Sequence, residues 1–406
     1  MKRLYSYKFR QLKIASIWTF FIFGFFAIQE KTDWPLLRFA GIRSFSFFTD
    51  LGWVFKTSDS ARIIGWDIYD PNPPKDYSAY LYGSNLIRVV DFLGITEAQT
   101  KIAGWILMLV FSILIGAVMS QIRDNRIFSS VFGFIVLISP PNQLLIERGN
   151  FDLVIIIVLA FISYLLVKEN YYLVLSLLLL ITLFKFYTLP LFIYLIYLSR
   201  SKLIKFTGGL IFIVTSFLVV NDLSKIKIDF PRPSWAAFGN PIFGIYFHRF
   251  EIELPNLIQD LIGLISLVIA LIMIKVILRN KNIELPETTI LQIPINFKDS
   301  IFKIFLLTFL ICYFSSTSFD YRLFYLFVPA LIYIQMLKLK KATTAILWAL
   351  LILTAWLSYN SGDLQLLGDI CILFWVGIFS RSILVELLNT KLAKIAIFKV
   401  ITKGLI

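Results

Sequence analysis

The stretch from Ile138 to Pro190 holds the side chains best suited to chemistry. Glu147, Arg148 and Asp152 fall together beside Gly149 and Asn150, between two long apolar segments. Lys185 stands between Phe184 and Phe186, with no other charge from Tyr171 to Ser199. A charge beside a bilayer core costs several kcal/mol unless it is paired or wet, so such residues usually mark a function. The purely structural alternative is that Arg148 pairs with Glu147 or Asp152 at a helix end. Other polar islands add the carboxylates Asp50, Asp67, Asp70 and Asp320 and the cations Arg249 and Arg322. His248 is the sole histidine, so no nucleophile–histidine–acid set and no histidine metal cluster is available. There is no Gly-rich phosphate loop and no Asp-x-Asp pair of the kind that holds a metal–nucleotide-sugar complex. What remains is a carboxylate base, cations able to hold an anionic leaving group, and aromatics suited to sugar faces. That set fits transfer of a group from a lipid phosphate to a hydroxyl.

The elements that position these residues are apolar spans. Of the 406 residues 58% are hydrophobic and only 16% charged, against about 25% charged in an average soluble protein. The mean hydropathy is +0.81. Such a chain is an all-α, polytopic helical membrane protein, with its core built among spans. The net charge of +14 resides in short loops between oily segments, which is the positive-inside pattern and excludes a nucleic-acid reading. Cys312 and Cys371 both lie inside apolar spans and support neither a disulfide framework nor a metal site. The basic residues Lys2, Arg3, Lys8, Arg10 and Lys13 precede the first apolar run. No small-residue cleavage site follows, so that run is expected to stay as an uncleaved span.

Hydropathy divides one integral membrane domain, 1–406, as follows. The first span is 14–29, and a long outer loop rich in aromatics and proline covers 30–101. Spans two to seven occupy 102–221, including 127–144 and two short spans meeting at a polar turn within 171–199. A second outer loop is 222–255, spans eight to twelve fill 256–380, and 381–406 is a basic amphipathic cytoplasmic tail lying on anionic lipid. Loops with an excess of Lys and Arg (200–205, 338–341 and both terminal segments) alternate with loops that lack one, which implies about twelve spans with both termini cytoplasmic. The first loop, the Glu147–Asp152 cluster, Lys185, the 222–255 loop and Arg322 then all face outward at an inner cell membrane.

The pattern Asp50-Leu…Gly65-Trp-Asp-Ile-Tyr69-Asp-Pro-Asn, then Tyr80-Leu-Tyr82-Gly, resembles the first outer loop of bacterial GT-C glycosyltransferases of the GT87 (DUF2029) group. Arg148-Gly-Asn-Phe-Asp152 is similar to that family's Gly-Gln-x-Asn element, and Lys185-Phe-Tyr-Thr-Leu-Pro190 to its Lys-x-x-Pro element. Asn150 stands where the family usually has Gln, Asp152 where it has Asn, and Thr188 at the usual Pro. The resemblance covers roughly residues 45–200; beyond them only the alternation of spans and outer loops agrees. It implies a GT-C-like architecture, a polyprenyl-phosphate sugar donor, a glycan or lipid-linked acceptor, an inverting reaction, and a first-loop Asp as base, by position Asp50. Arg148, Lys185 and Arg322 are then expected to hold the lipid phosphate, and Asn150 and Asp152 to orient the site or the sugar, with no cofactor and no metal. The bland alternatives are Asp50 as a helix N-cap, Asp67 and Asp70 as turn formers, His248 as an interfacial residue, and Arg322 paired with Asp320. The competing function is a transporter or flippase for a lipid-linked glycan, to which broken helices and buried charge would also be suited. A purely structural membrane subunit is a third reading.

Overall fold

A computed structural model describes residues 2–32, 47–65, 67–69, 83–121, 127–225, 237–239, 241–247, 252–281, 290, 292–315, 318–336, 341–358 and 363–389. The first half is built from α1 (Lys2–Thr32), α2 (Thr49–Ile64), α3 (Ser84–Phe92), α4 (Thr100–Gln121), α5 (Ile127–Leu137), α6 (Pro140–Glu147), α7 (Asp152–Val167), α8 (Tyr171–Phe184) and α9 (Leu191–Leu198). The second half follows as α10 (Lys202–Lys225), β1 (Ala237–Phe238), α11 (Ile242–Ile245), α12 (Asn256–Lys281) and α13 (Phe297–Ser315). It ends with β2 (Ser318–Phe319), α14 (Phe324–Met336), α15 (Lys341–Leu357) and α16 (Asp363–Asn389). The architecture is therefore helical, as the hydropathy implies. Among the described residues, five helices are long and apolar enough to cross a membrane, or up to six if the bent pair α5–α6 is one span. Shorter apolar helices, including α7, α8, α14 and most of α15, lie among them.

The core column is α14. Every side chain from Phe324 to Ile334 is buried, Pro329 included. Phe324 sits between Phe111 of α4, ring centres 5.0 Å apart, and Phe305 of α13, at 6.1 Å. Helices toward the outside carry apolar residues outward instead: Phe206 and Phe217 on α10, and Leu257 and Val268 on α12. A helix apolar all round belongs in a bilayer or a large core.

One end of the bundle collects the polar residues. α7 runs away from Asp152, Lys168–Asn170 turn the chain, and α8 returns to finish beside Asp152. Asn170 stabilises that turn by accepting a hydrogen bond from the Leu173 N–H at 3.4 Å. The chain then breaks at Lys185–Pro190, where the sequence places a polar turn between two short spans. α10 ends at the same level, since Asp222 reaches Ser84 at the start of α3. β1 pairs antiparallel with β2, Ala237 opposite Phe319, tying the segment after α10 to the segment that leads into Arg322.

Two stretches add detail to the hydropathy division. The span 127–144 is not one helix. It breaks after Leu137 and bends by 50°, because Pro140 and Pro141 cannot donate the backbone bonds that would continue the helix. The carbonyls left over at the break are met by side chains: Asn142 Nδ2 donates to Val136 O at 3.1 Å and Leu137 O at 3.2 Å. α16 continues through the first residues of the expected tail, to Asn389; the remainder of 381–406 lies outside the described residues.

The packing predicts a contrast. Phe324→Ala removes a ring held between two others and should cost about 3–5 kcal/mol, read as a lower melting temperature of the purified protein. Ile106→Ala, on an exposed stripe of α4, should leave melting nearly unchanged.

Candidate functional site

The site begins with backbone. The start of α2 is attached to the turn between α6 and α7: Phe48 N–H donates to Glu147 O, and Asp50 N–H donates to Arg148 O at 2.7 Å. Gly149 makes this approach possible. It has φ +57°, and a Cβ there would lie 2.9 Å from the Phe48 Cα, so any side chain meets both backbone strain and a clash. Residues a hundred positions apart are thereby fixed in register before any side chain is considered.

The side chains then form one continuous chain of bonds. Arg148 donates from Nε at 2.8 Å and lies with Nη2 at 2.7 Å, both to Asp50 Oδ1. Asn150 Nδ2 donates to Asp50 Oδ2 at 2.6 Å. The other end of the same amide, Asn150 Oδ1, accepts from Lys185 Nζ at 2.9 Å and from the Asp152 N–H at 3.0 Å. Lys185 Nζ also donates to Asp152 Oδ2 at 2.6 Å. The Tyr187 hydroxyl donates to Asp152 Oδ1 and lies 2.8 Å from the Tyr325 hydroxyl. Arg322 Nε is 3.5 Å from Asp152 Oδ2, and its guanidinium lies 4.9 Å from the centre of the Tyr187 ring, within cation–π range. Thr182 and Thr188 brace the break that carries Lys185, their hydroxyls 2.8 Å apart.

All six residues singled out from the sequence, Asp50, Arg148, Asn150, Asp152, Lys185 and Arg322, belong to this network. Exposure rises from its inner to its outer members. The Asp152 and Lys185 side chains are 0% and 2% exposed, Asp50 11%, Arg322 19% and Arg148 28%. The bland alternatives fare differently. Arg148 pairs with Asp50. Asp50 is not an N-cap; Phe48 holds that position, without a side-chain cap. Arg322 reaches Asp152; the Asp320 side chain lies outside what the structure describes. Asp67 is a turn former, its Oδ1 accepting from the Tyr69 N–H at 3.1 Å. Asp70, His248 and Arg249 lie outside the described residues. Among the described residues, no three His, Cys, Asp or Glu side chains group as a metal-binding cluster.

Sequence reasoning missed Tyr187 and Tyr325, although each lies within three residues of a residue it singled out. It also missed a clasp on α3. Asp222 accepts from the Ser84 N–H and hydroxyl, each at 3.1 Å, and Gly83 N–H donates to Phe184 O at 3.1 Å. A Cβ on Gly83 would lie 1.9 Å from the Leu183 carbonyl oxygen, so only glycine fits. Burial, and then the Asp222 carboxylate, push the Tyr69 hydroxyl up to about 12. It therefore stays protonated at neutral pH.

No family model matches the chain, and neither a curated protein nor a solved structure matches it.

The buried pair yields a stability prediction. Lys185→Met leaves the buried Asp152 carboxylate without its nearest cation and should cost about 3–5 kcal/mol. Lys185→Met combined with Asp152→Leu should recover most of the lost melting temperature, because the buried carboxylate goes with its ammonium and the cation that loses it, Arg322, is 19% exposed. A double variant as unstable as the single one would mean that the pair's bonds, rather than its charge balance, hold this end together.

Proposed function

We propose that the protein is a membrane glycosyltransferase that moves a hexose from a polyprenyl-phosphate sugar to a hydroxyl of a glycan or lipid-linked acceptor. The observation that carries this reading is the setting of the Asp50 carboxylate at the more exposed edge of the network. Its Oδ1 is taken by Arg148, while its Oδ2 receives the single amide donor of Asn150. A carboxylate oxygen has room for about two donors, so Oδ2 can accept a further one, an acceptor hydroxyl. As that oxygen attacks the anomeric carbon, its proton passes to Asp50. The bond from the carbon to the phosphate oxygen breaks, and the phosphate leaves with the electron pair. In-line attack of this kind inverts the anomeric centre.

The roles divide by accessibility. Arg148 and Arg322 are the cations able to meet a phosphate, and bidentate geometry suits a guanidinium to it. Lys185 is better suited to an internal role, because Asp152 and Asn150 already occupy its ammonium. Asn150 orients Asp50. A lipid monophosphate is held in the bilayer by its tail, so a few cations at the membrane edge suffice. On this reading the long and short apolar helices together make up about twelve spans, both termini are cytoplasmic, and the polar end faces outward at the cell membrane. The GT87 resemblance of residues 45–200 agrees with this assignment and remains part of the proposal.

The 50° break between α5 and α6 favours a second reading, a flippase for a lipid-linked glycan, since transporters build their sites from broken helices. It would need the network to open toward both ends of the bundle. The network lies at one end.

The test supplies purified protein with a polyprenyl-phosphate hexose or a nucleotide sugar, each with and without chelator, and follows radiolabel into acceptor. Transfer from the lipid donor, unaffected by chelator, is expected; transfer from the nucleotide sugar alone would overturn the assignment. Asp50→Asn should lower kcat by about 10²–10⁴ with donor binding retained, and near wild-type turnover would remove Asp50 from the mechanism.

A further inference from the structure

A carboxylate outside the network is tied to the elements that carry it. α10 turns much of its apolar surface outward, with Val220 and Leu223 among its exposed residues. Its inward face runs through Gly208, Thr215 and Val219 and ends at Asp222, the sole acid of Lys202–Lys225. A carboxylate at the edge of a bilayer is retained only where something meets it. Lys225 Nζ lies 3.9 Å away on a half-exposed side chain and contributes little. The close donors belong to α3. Asp222 Oδ2 accepts from the Ser84 N–H and hydroxyl, each at 3.1 Å, and Oδ1 lies 3.2 Å from the same hydroxyl. Ser84 is the first residue of α3. The carboxylate therefore meets an N–H that a helix leaves unpaired at its start, at the positive end of the helix dipole.

At this point α3 stands between the two limbs of the site. Gly83, its N-cap, donates to Phe184 O at 3.1 Å. That carbonyl belongs to the last residue of α8, where Lys185 turns to extended backbone with φ −138° and ψ 115°. A helix end leaves such a carbonyl without a partner of its own. The fit reaches both sides of the break: a Cβ on Gly83 would lie 1.9 Å from Leu183 O and 3.2 Å from a ring carbon of Phe186. α3 also packs against α2, the helix with Asp50 in its first turn. Leu86, Ile87 and Val90 are buried, and the Ser58 hydroxyl of α2 donates to Ile87 O at 3.5 Å.

A carboxylate that merely capped α3 would stabilise that helix and leave the site indifferent to it. The joint at Phe184 makes the difference. A shift at the start of α3 moves the backbone that presents Lys185; Lys185 orients Asn150, and Asn150 orients Asp50. We propose that Asp222 is a positioning residue: it holds α3 between α2 and the Lys185 break, so that the buried pair and the outer carboxylate keep their spacing. Its effect on transfer rests on the glycosyl-transfer reading; its hold on Lys185 does not.

The experiment uses the full chain in lipid nanodiscs, with lysines carrying the NMR-active nitrogen isotope. A buried ammonium exchanges its protons slowly, so the Lys185 Nζ signal can be followed and is identified by its loss in the Lys185→Met/Asp152→Leu double variant. Asp222→Ala should shift that signal. It should also lower kcat by about 10–10²-fold, the scale of a small misplacement of reacting groups, with the donor KM within about threefold. Asp222→Asn keeps an oxygen for the Ser84 N–H and should restore most of both. Phe379→Leu loosens the aromatic packing of α16 against α13 and α14; it should lower the melting temperature and leave the Lys185 signal in place. If Asp222→Ala does not fold, Ser84→Ala, which keeps the backbone and loses one hydroxyl, takes its place and should shift the signal. An unmoved Lys185 signal, or a shift equalled by Phe379→Leu, overturns the positioning role whatever the transfer assay gives. Unchanged kcat in a protein that does transfer sugar overturns it as well. A shifted signal, without transfer from any donor by wild type, would uphold the hold on Lys185 and overturn the glycosyltransferase.

Discussion

An ammonium and a carboxylate buried in an apolar bundle govern this end of the protein. Neither Lys185 nor Asp152 can be left alone there, because the desolvation of a single ion outweighs most of what a helix gains by packing. Their attraction is sufficient only when the remaining donors and acceptors are also met. Asp152 Oδ1 is met by Tyr187, Asp152 Oδ2 by Lys185 with Arg322 behind it, and a further Lys185 proton by Asn150. Meeting these needs fixes the larger structure. α7 and α8 must start and finish at one level. The break after Phe184 must expose a lysine rather than continue a helix, and the segment before α14 must bring Arg322 across.

Asn150 turns this local need into a long-range one. An amide has a donor end and an acceptor end, and the cations oblige the acceptor end to face Lys185. The donor end then has a defined direction, and Asp50 lies in it at 2.6 Å. The position of the outer carboxylate is thus set by the inner pair through one side chain, while backbone bonds from Phe48 and Asp50 hold α2 in place.

Part of this was legible in the sequence for physical reasons. Lys185 betrays itself because nothing else charged lies near it along the chain, and such a residue demands an anionic partner. The helical class followed from hydropathy, because in lipid the backbone must satisfy itself. The pairing of Asp50 with Arg148 had no local signal. The residues are 98 positions apart, and only the order of the surrounding motifs suggested that they belong together. Tyr187 and Tyr325 were invisible for the opposite reason: tyrosine is common near membrane interfaces, so its type alone carries little information. Pro140-Pro141 stood in plain view, yet the apolar run continues across it, and hydropathy cannot distinguish a straight span from one bent by 50°.

On the glycosyl-transfer reading, the gradient of exposure through the network acquires a purpose. The inner pair is neutral overall and shielded, so it changes little when substrate arrives. The outer pair is nearer the surface, where a phosphate competes directly with Asp50 for Arg148. A guanidinium that turns part of its hydrogen bonding toward a phosphate donates less to the carboxylate it leaves. Asn150 stays bonded throughout, because its orientation depends on Lys185 and Asp152 rather than on the ligand. An arrangement in which all the cations were equally exposed would bind phosphate as well, but it would have no fixed point from which to aim the base. The buried pair supplies that fixed point, which is why a charge so unfavourable to bury occupies the centre of the site.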